Sequence, residues 1–194
     1  MDSDTTTAAD PGSDAALVVR ARTGDHQAFA EIVRRYQAKA LRVAWSICQS
    51  THEAEDAVQE AFISAYRSLD RFRDGASLSP WLMRIVANSA RNRRRSTGRW
   101  RRTHERHRVT EFRVADSAEL GAIAGMSAAV LLDAMRRLGQ RDREVLGCRF
   151  IAGLTEAETS EAMGCPVGTV KSRTARALGR LRVELVGLDM EELE

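Results

Sequence analysis

The sequence predicts an all-α protein of two small helical domains joined by a flexible linker, the C-terminal one containing a helix-turn-helix. Three observations carry this. Apolar residues recur at helical spacing almost throughout residues 14–187. β-branched runs are few. The three prolines, Pro11, Pro80 and Pro166, fall where helices can begin or be interrupted. With 194 residues, 43% of them hydrophobic, the chain can bury real cores in one domain or two small ones.

At roughly 100° per residue, Phe29, Val33, Tyr36, Ala40, Val43 and Ile47 form one stripe, which predicts a long helix over residues 25–47. Ser50 and Glu53 make an S-x-x-E capping box that starts a second helix over residues 50–69, with Val58, Phe62, Ala65 and Leu69 facing the core. Ser79 reads as an N-cap with Pro80 in the first helical position, launching a third helix whose apolar side holds Trp81, Leu82, Ile85 and Val86. These helices share an apolar side and should pack as a bundle. Regularity fades over residues 98–127, where Gly98, Gly121 and Gly125 fall, and a linker with a short helix near 115–124 is expected. A second helical module starts near Ala128. In it Thr155 and Glu158 form another capping box, Gly164 ends that helix, and Val167 or Gly168 opens the next after a tight turn. The expected organisation is a disordered acidic tail (1–13), a domain (14–97), the linker (98–127), a domain (128–187) and an acidic tail (188–194).

The formal charge is +3, but four acids lie in the first 14 residues and five in residues 184–194, so residues 15–183 carry +12. A phosphate-bearing partner is expected. Lys39 and Lys171 are the only lysines, so the charge is almost all arginine, whose planar fork grips phosphates and guanine edges in pairs. Arginine is densest at Arg84, Arg91, Arg93, Arg94, Arg95, Arg99, Arg101, Arg102, Arg106 and Arg108, against the single acid Glu105. No apolar run approaches membrane-spanning length and the polar N-terminus lacks a signal-peptide pattern, so a cytoplasmic protein is expected. Cys48, Cys148 and Cys165 are odd in number and lack ligand spacing, which predicts reduced, partly buried thiols. His104 and His107 sit among arginines without an acid–nucleophile partner. No catalysis, metal or cofactor is expected.

Three constellations stand out. On the last helix Val170, Thr174, Ala177 and Leu181 face inward while Thr169, Ser172, Arg173, Arg176 and Arg180 share an outward arc. Short hydroxyls and arginines there suit a DNA major groove, though a plain helical hairpin with a solvated basic face has the same periodicity. On the helix from Pro80, Arg84, Asn88, Arg91 and Arg95 recur at i, i+4, i+7 and i+11. Arginines there would neutralise phosphates and the amide could read a base edge; a nonspecific polyanion surface is the alternative. On the helix from Ser50, Asp56, Gln59, Glu60 and Arg67 surround Ile63. An apolar side chain on a largely acidic face marks a protein-docking spot, or is simply one exposed isoleucine.

The arrangement resembles the extracytoplasmic-function (ECF) sigma factors, the two-domain specificity subunits of bacterial RNA polymerase in the sigma-70 family. "AEDAVQEAF" is similar to the family's "AEDLxQExF", "SLSPWLMRIVANSARNRRR" to its "xxxxWLxxIAxNxxxDxxRR", and "REVLGCRFIAGLTEAETSEAMGCPVGTVKSRTARALGRLR" to its promoter-reading C-terminal domain. The matches run in order over residues 14–97 and 128–185. Asn92 stands where the family prefers an acid, and Thr159 and Ser160 where it prefers Ile and Ala. The resemblance implies that Asp56, Gln59, Glu60 and Ile63 dock on the clamp helices of the polymerase β′ subunit. It gives Arg84, Asn88, Arg91 and Arg95 to the −10 promoter element, with the loop "DRFRDGASLS" holding a flipped base; Phe72 in that loop could stack on a base, or belong to the core. It gives Thr169, Lys171, Ser172, Arg173 and Arg176 to the −35 element, and residues 99–108 to a linker along the polymerase's nucleic-acid channels. It also implies DNA opening, an anti-sigma factor as a further partner, and no membrane insertion. A free-standing helix-turn-helix regulator is the alternative.

Overall fold

The computed structural model describes residue 10, residues 12–101 and residues 128–191, with side chains described to 96 and from 130 to 187. Among the described residues there are eight α-helices and no strand. The expected tails, the short helix near 115–124, His104 and His107 lie outside them.

α1 (Asp14–Arg22) and α2 (His26–Cys48) are separated by a sharp turn. Gly24 takes φ +92°, and Asp25 caps α2 by accepting from Gln27 N and Ala28 N. Helical periodicity alone does not separate these two helices. The second half of the expected α2 stripe is buried at Ala40, Val43 and Ile47. In the first half the buried line is Ala28 and Ile32, one step round the helix, and Phe29 and Val33 are only half-buried.

α3 (Thr51–Arg67) is capped by Ser50, whose hydroxyl accepts from Glu53 N, and it buries Val58, Phe62 and Ala65, with Leu69 just beyond its end. α4 (Leu78–Arg101) begins one residue before the cap expected at Ser79. Pro80 still sits in the first turn, where a missing N–H costs nothing. Ser79 is buried instead, its hydroxyl accepting from Lys39 Nζ at 3.3 Å. α4 also runs past the boundary expected at 97, through Gly98 to Arg101.

The C-terminal module comprises α5 (Ala128–Arg137), α6 (Gln140–Leu146) with a π-helical turn at Gly147–Ile151, α7 (Glu156–Met163) and α8 (Val167–Glu191). Thr155 and Glu158 complete the reciprocal capping box, and Gly164 ends α7 at φ +63°. Val170 and Ala177 of α8 meet Met135, Leu138, Val145 and Leu146 in a small core of the module's own.

The two modules pack together. α7 lies on α4, α6 and its π-turn lie on α2, and Cys148, Ala152, Leu154 and Ala162 join the core of the first bundle. Thr155→Ala should remove the side-chain half of the capping box, the hydroxyl that accepts from Glu158 N, and destabilise the C-terminal module by about 1 kcal/mol. Denaturant unfolding would show it, with Thr155→Ser close to the parent.

Candidate functional site

The loop between α3 and α4 is held by a residue with no periodic or motif signature. Arg22, in the last turn of α1, donates from Nε to Leu69 O at 3.0 Å, from Nη1 to Asp74 Oδ1 at 2.6 Å and from Nη2 to Phe72 O. One guanidinium therefore fixes three points of the loop. Phe72 points inward, 6% exposed, with its ring edge-on to Trp81 at 5.0 Å. It is core.

On α4 the apolar residues Leu82, Met83, Val86, Ala87 and Ala90 are buried, leaving Arg84, Asn88 and Arg95 exposed on the expected stripe. Arg91, on the same stripe, is partly covered. Its Nη1 donates to Asn88 Oδ1 at 2.7 Å, and its Nε donates to Glu144 Oε1 of α6 at 2.5 Å. Burial pushes the Glu144 carboxyl above its ordinary value, against the pull of Arg91.

Arg93 turns away from this stripe, back onto α3. Its two terminal nitrogens pair with Asp56, and with Glu60 at 2.6 Å. Gln59 is exposed, and Ile63 is 52% exposed. Beside Ile63 a groove of about 750 Å³ opens between α2 and α3, with Phe29, Val33, Phe62 and Tyr66 in its wall and His26, Arg34 and Arg67 at its edge. The half-buried Phe29 and Val33 of α2 therefore belong to a surface as well as to the core.

In the helix-turn-helix, Lys171, Ser172 and Arg176 are exposed, while Thr169 and Arg173 are half-buried. Arg176 Nε is held by Ser172 O of its own helix at 3.1 Å, and Arg173 Nη1 approaches Cys165 Sγ at 3.8 Å. Ser160 fastens the turn: its hydroxyl donates to Cys165 O at 2.6 Å, and Cys165 N donates back to Ser160 O at 3.1 Å. All three cysteines are free thiols. Burial pushes Cys48 and Cys148 up to about 12, which keeps them protonated and unreactive at neutral pH.

Residues 32–100 match sigma-70 region 2, and residues 134–183 match sigma-70 region 4. The ECF RNA polymerase sigma-E factor of Escherichia coli strain K12 is 34% identical over 173 residues, spanning 85% of this chain and 90% of its own. The RNA polymerase sigma-H factor of Pseudomonas aeruginosa is 36% identical over 174 residues, spanning 84% and 89%. The chain belongs to the ECF sigma factors of the sigma-70 family. Two solved structures share its fold. CnrH, in complex with the cytosolic domain of CnrY, has a TM-score of 0.66 at 26% identity, covering 90% of this chain and 97% of its own. RpoE of Bartonella quintana, in complex with the anti-sigma factor NepR, has 0.64 at 25% identity, covering 82% and 98%.

Membership makes the protein an RNA polymerase sigma factor, a transcription-initiation factor. A free-standing helix-turn-helix regulator would account for the region 4 match but leaves the region 2 match over residues 32–100 unexplained. Among the described residues no helix is long and apolar enough to cross a membrane. The structure places Asp56, Gln59, Glu60 and Ile63 along one side of α3, and Arg84, Asn88, Arg91 and Arg95 along one side of α4. Sequence reasoning missed Arg22, Arg93 and Glu144 as functional partners. Arg93 was visible only as one more member of a charge run.

Because Arg93 is 34% exposed and its partners 26% and 53%, the pairs with Asp56 and Glu60 are worth little as glue. Asp56→Ala and Glu60→Ala should each change unfolding free energy by no more than about 1 kcal/mol. A larger loss in denaturant melts would give these acids a structural task instead.

Proposed function

We propose that this sigma factor docks on the β′ clamp helices of core RNA polymerase through α3, reads the −10 element with α4 and the −35 element with α8, and promotes opening of the −10 region. The observation that carries this reading is the pair of outward basic faces, one on each domain. Arg84, Asn88 and Arg95 are exposed on α4, and Lys171, Ser172 and Arg176 on α8, each backed by a buried apolar side. An arginine row sets register on phosphates while an amide or hydroxyl within it can address a base edge. The loop held by Arg22 is the candidate pocket for a flipped −10 base, with Phe72 as its floor rather than a stacking platform.

Asp56, Gln59 and Glu60, with Ile63 and the groove behind it, form the polymerase face: acids steer the encounter and an apolar anchor fixes it. The solved relatives bound to CnrY and to NepR support an anti-sigma partner here too. Since polymerase and promoter are cytoplasmic, so is the place of action.

Run-off transcription with purified core polymerase tests the whole reading: product must depend on the added chain, and core polymerase that gains no promoter-specific product would refute it. Glu60→Arg should weaken core-polymerase binding on the order of tenfold or more through a slower on-rate, with helical content unchanged. Asn88→Ala should keep most salt-dependent DNA affinity in the holoenzyme yet lose about 1–3 kcal/mol of discrimination at the −10 element. Arg95→Ala should instead weaken binding to all promoters and lower the salt slope by about 1. Binding to matched and mismatched −10 sequences at several salt concentrations separates the two, and an Asn88→Ala variant with unaltered preference would remove the base-reading role.

A further inference from the structure

The last turn of α1 carries two arginines, Arg20 and Arg22, with different tasks. Arg20 is 49% exposed and pairs at 2.6 Å with Asp25, the cap of α2, so it braces the turn between its own helix and the next. Arg22 reaches much further. Its head bonds Leu69, Phe72 and Asp74, some 50 residues away along the chain. Helical spacing explains the reach. Leu17, Val18 and Ala21 bury one face of α1, and Arg22, one turn after Val18, sits at the edge of that face with its side chain 19% exposed. The aliphatic stem is covered and the guanidinium emerges beside the loop.

The three acceptors are not equivalent. The Asp74 side chain is 84% exposed, so its ion pair contributes little by itself. The two carbonyls matter more. Leu69 O closes the tight turn Leu69–Arg71 by accepting from Phe72 N at 3.0 Å, and it accepts from Arg22 as well. Phe72 O marks where the chain leaves the core: residues 73–77 are exposed, and burial resumes at Leu78 and Ser79 of α4. Gly75 at φ +75°, and Ala76 N donating to Arg73 O at 3.2 Å, fold the exposed stretch into an arch. One foot of that arch is fixed by burial in α4. The other is pinned by Arg22.

Pinning bears on selectivity because a binding constellation discriminates only while it is held within about 0.5 Å of its productive geometry. A loop that had to order itself around an unstacked base would subtract that cost from every base alike. The planar fork of arginine presents its donors in fixed directions, which suits two carbonyls and a carboxylate spread along a loop; the single ammonium of lysine cannot span them.

We infer that Arg22 is a positioning residue for −10 recognition: by pinning the carbonyls of Leu69 and Phe72 it holds the loop in the shape that selects the flipped base. Arg22 lies outside residues 32–100, the match to region 2, so α1 becomes part of the promoter-reading machinery while acting through the loop rather than on DNA. The inference rests on the proposed role of this loop as the pocket for that base.

The test uses holoenzymes assembled from purified core polymerase and the full-length chain, as parent, Arg22→Gln, Arg22→Lys and Ile32→Val. Ile32→Val trims a buried side chain of α2 that makes no bond to the loop, and so controls for stability alone. Each holoenzyme transcribes a library of duplexes randomised over the −35 and −10 elements, and sequencing the products gives the base preference at every position. Arg22→Gln should lose preference on the order of tenfold at one −10 position, that of the flipped base, with −35 preferences and core-polymerase affinity unchanged. In a duplex carrying 2-aminopurine at that position, the fluorescence rise on opening should fall in parallel. Arg22→Lys should recover part of the loss, since an ammonium can still hold one carbonyl. Ile32→Val should melt at lower temperature yet keep the parent profile. An Arg22→Gln holoenzyme with the parent profile overturns the positioning role and leaves the promoter role standing. So does one whose preferences weaken evenly across both elements, as reduced stability alone would produce. A parent holoenzyme that draws no preferred sequence from the library refutes the promoter role, and this inference falls with it.

Discussion

Close approach of α2, α3 and α4 is the constraint on which the rest of the molecule depends, and alanine makes it possible. Ala40 and Ala44 on α2, Ala54, Ala57 and Ala61 on α3, and Ala87 and Ala90 on α4 are fully buried where these helices meet. Small side chains let helix axes come near the short end of the usual 8–10 Å separation. Larger residues, Trp45, Ile32, Leu82 and Met83, fill what remains. Interiors packed at this density do not deform smoothly. The outer faces of α3 and α4 are therefore displayed at a fixed angle to one another, as a polymerase face and a DNA face on one rigid body would require.

That geometry sorts a charge run that reads as uniform in sequence. Arg84 and Arg95 point to solvent, Arg91 reaches across to Glu144, and Arg93 folds back onto Asp56 and Glu60. Counting arginines therefore overstates the phosphate contacts α4 can offer. The partly exposed pairs with Asp56 and Glu60 lie within the range of about 0–1 kcal/mol, so a partner could exchange them at small cost. They shape the acidic face more than they stabilise it.

Features set by local chemistry were legible in the sequence. Ser50, Thr155 and Gly164 mark helix ends because caps satisfy orphan backbone groups within a few residues, and the inward set Val170, Thr174, Ala177 and Leu181 follows from helical period alone. Features set by distant neighbours were not. The first half of α2 buries Ala28 and Ile32, while Phe29 and Val33 of the expected stripe are half-buried and line the groove with Phe62 and Tyr66, neighbours on α3 that helical period does not reveal. Ser79 caps no helix because α4 already begins at Leu78, and its hydroxyl accepts instead from Lys39, 40 residues away. Arg22 has no periodic or motif signature, since what defines it is a loop some 50 residues on. Ser160, which departs from the family pattern, takes a local task, clasping the turn before α8.

The division of apolar surface between the domains links the fold to its use. Region 4 keeps a small core of its own and sends Cys148, Ala152, Leu154 and Ala162 into the core of region 2. Separating the domains exposes that surface, so opening has a free-energy cost set by burial rather than by the Arg91–Glu144 pair. Any partner that binds only the open chain has its affinity reduced by the fraction of open molecules, and a first partner that opens the chain removes the penalty for the second.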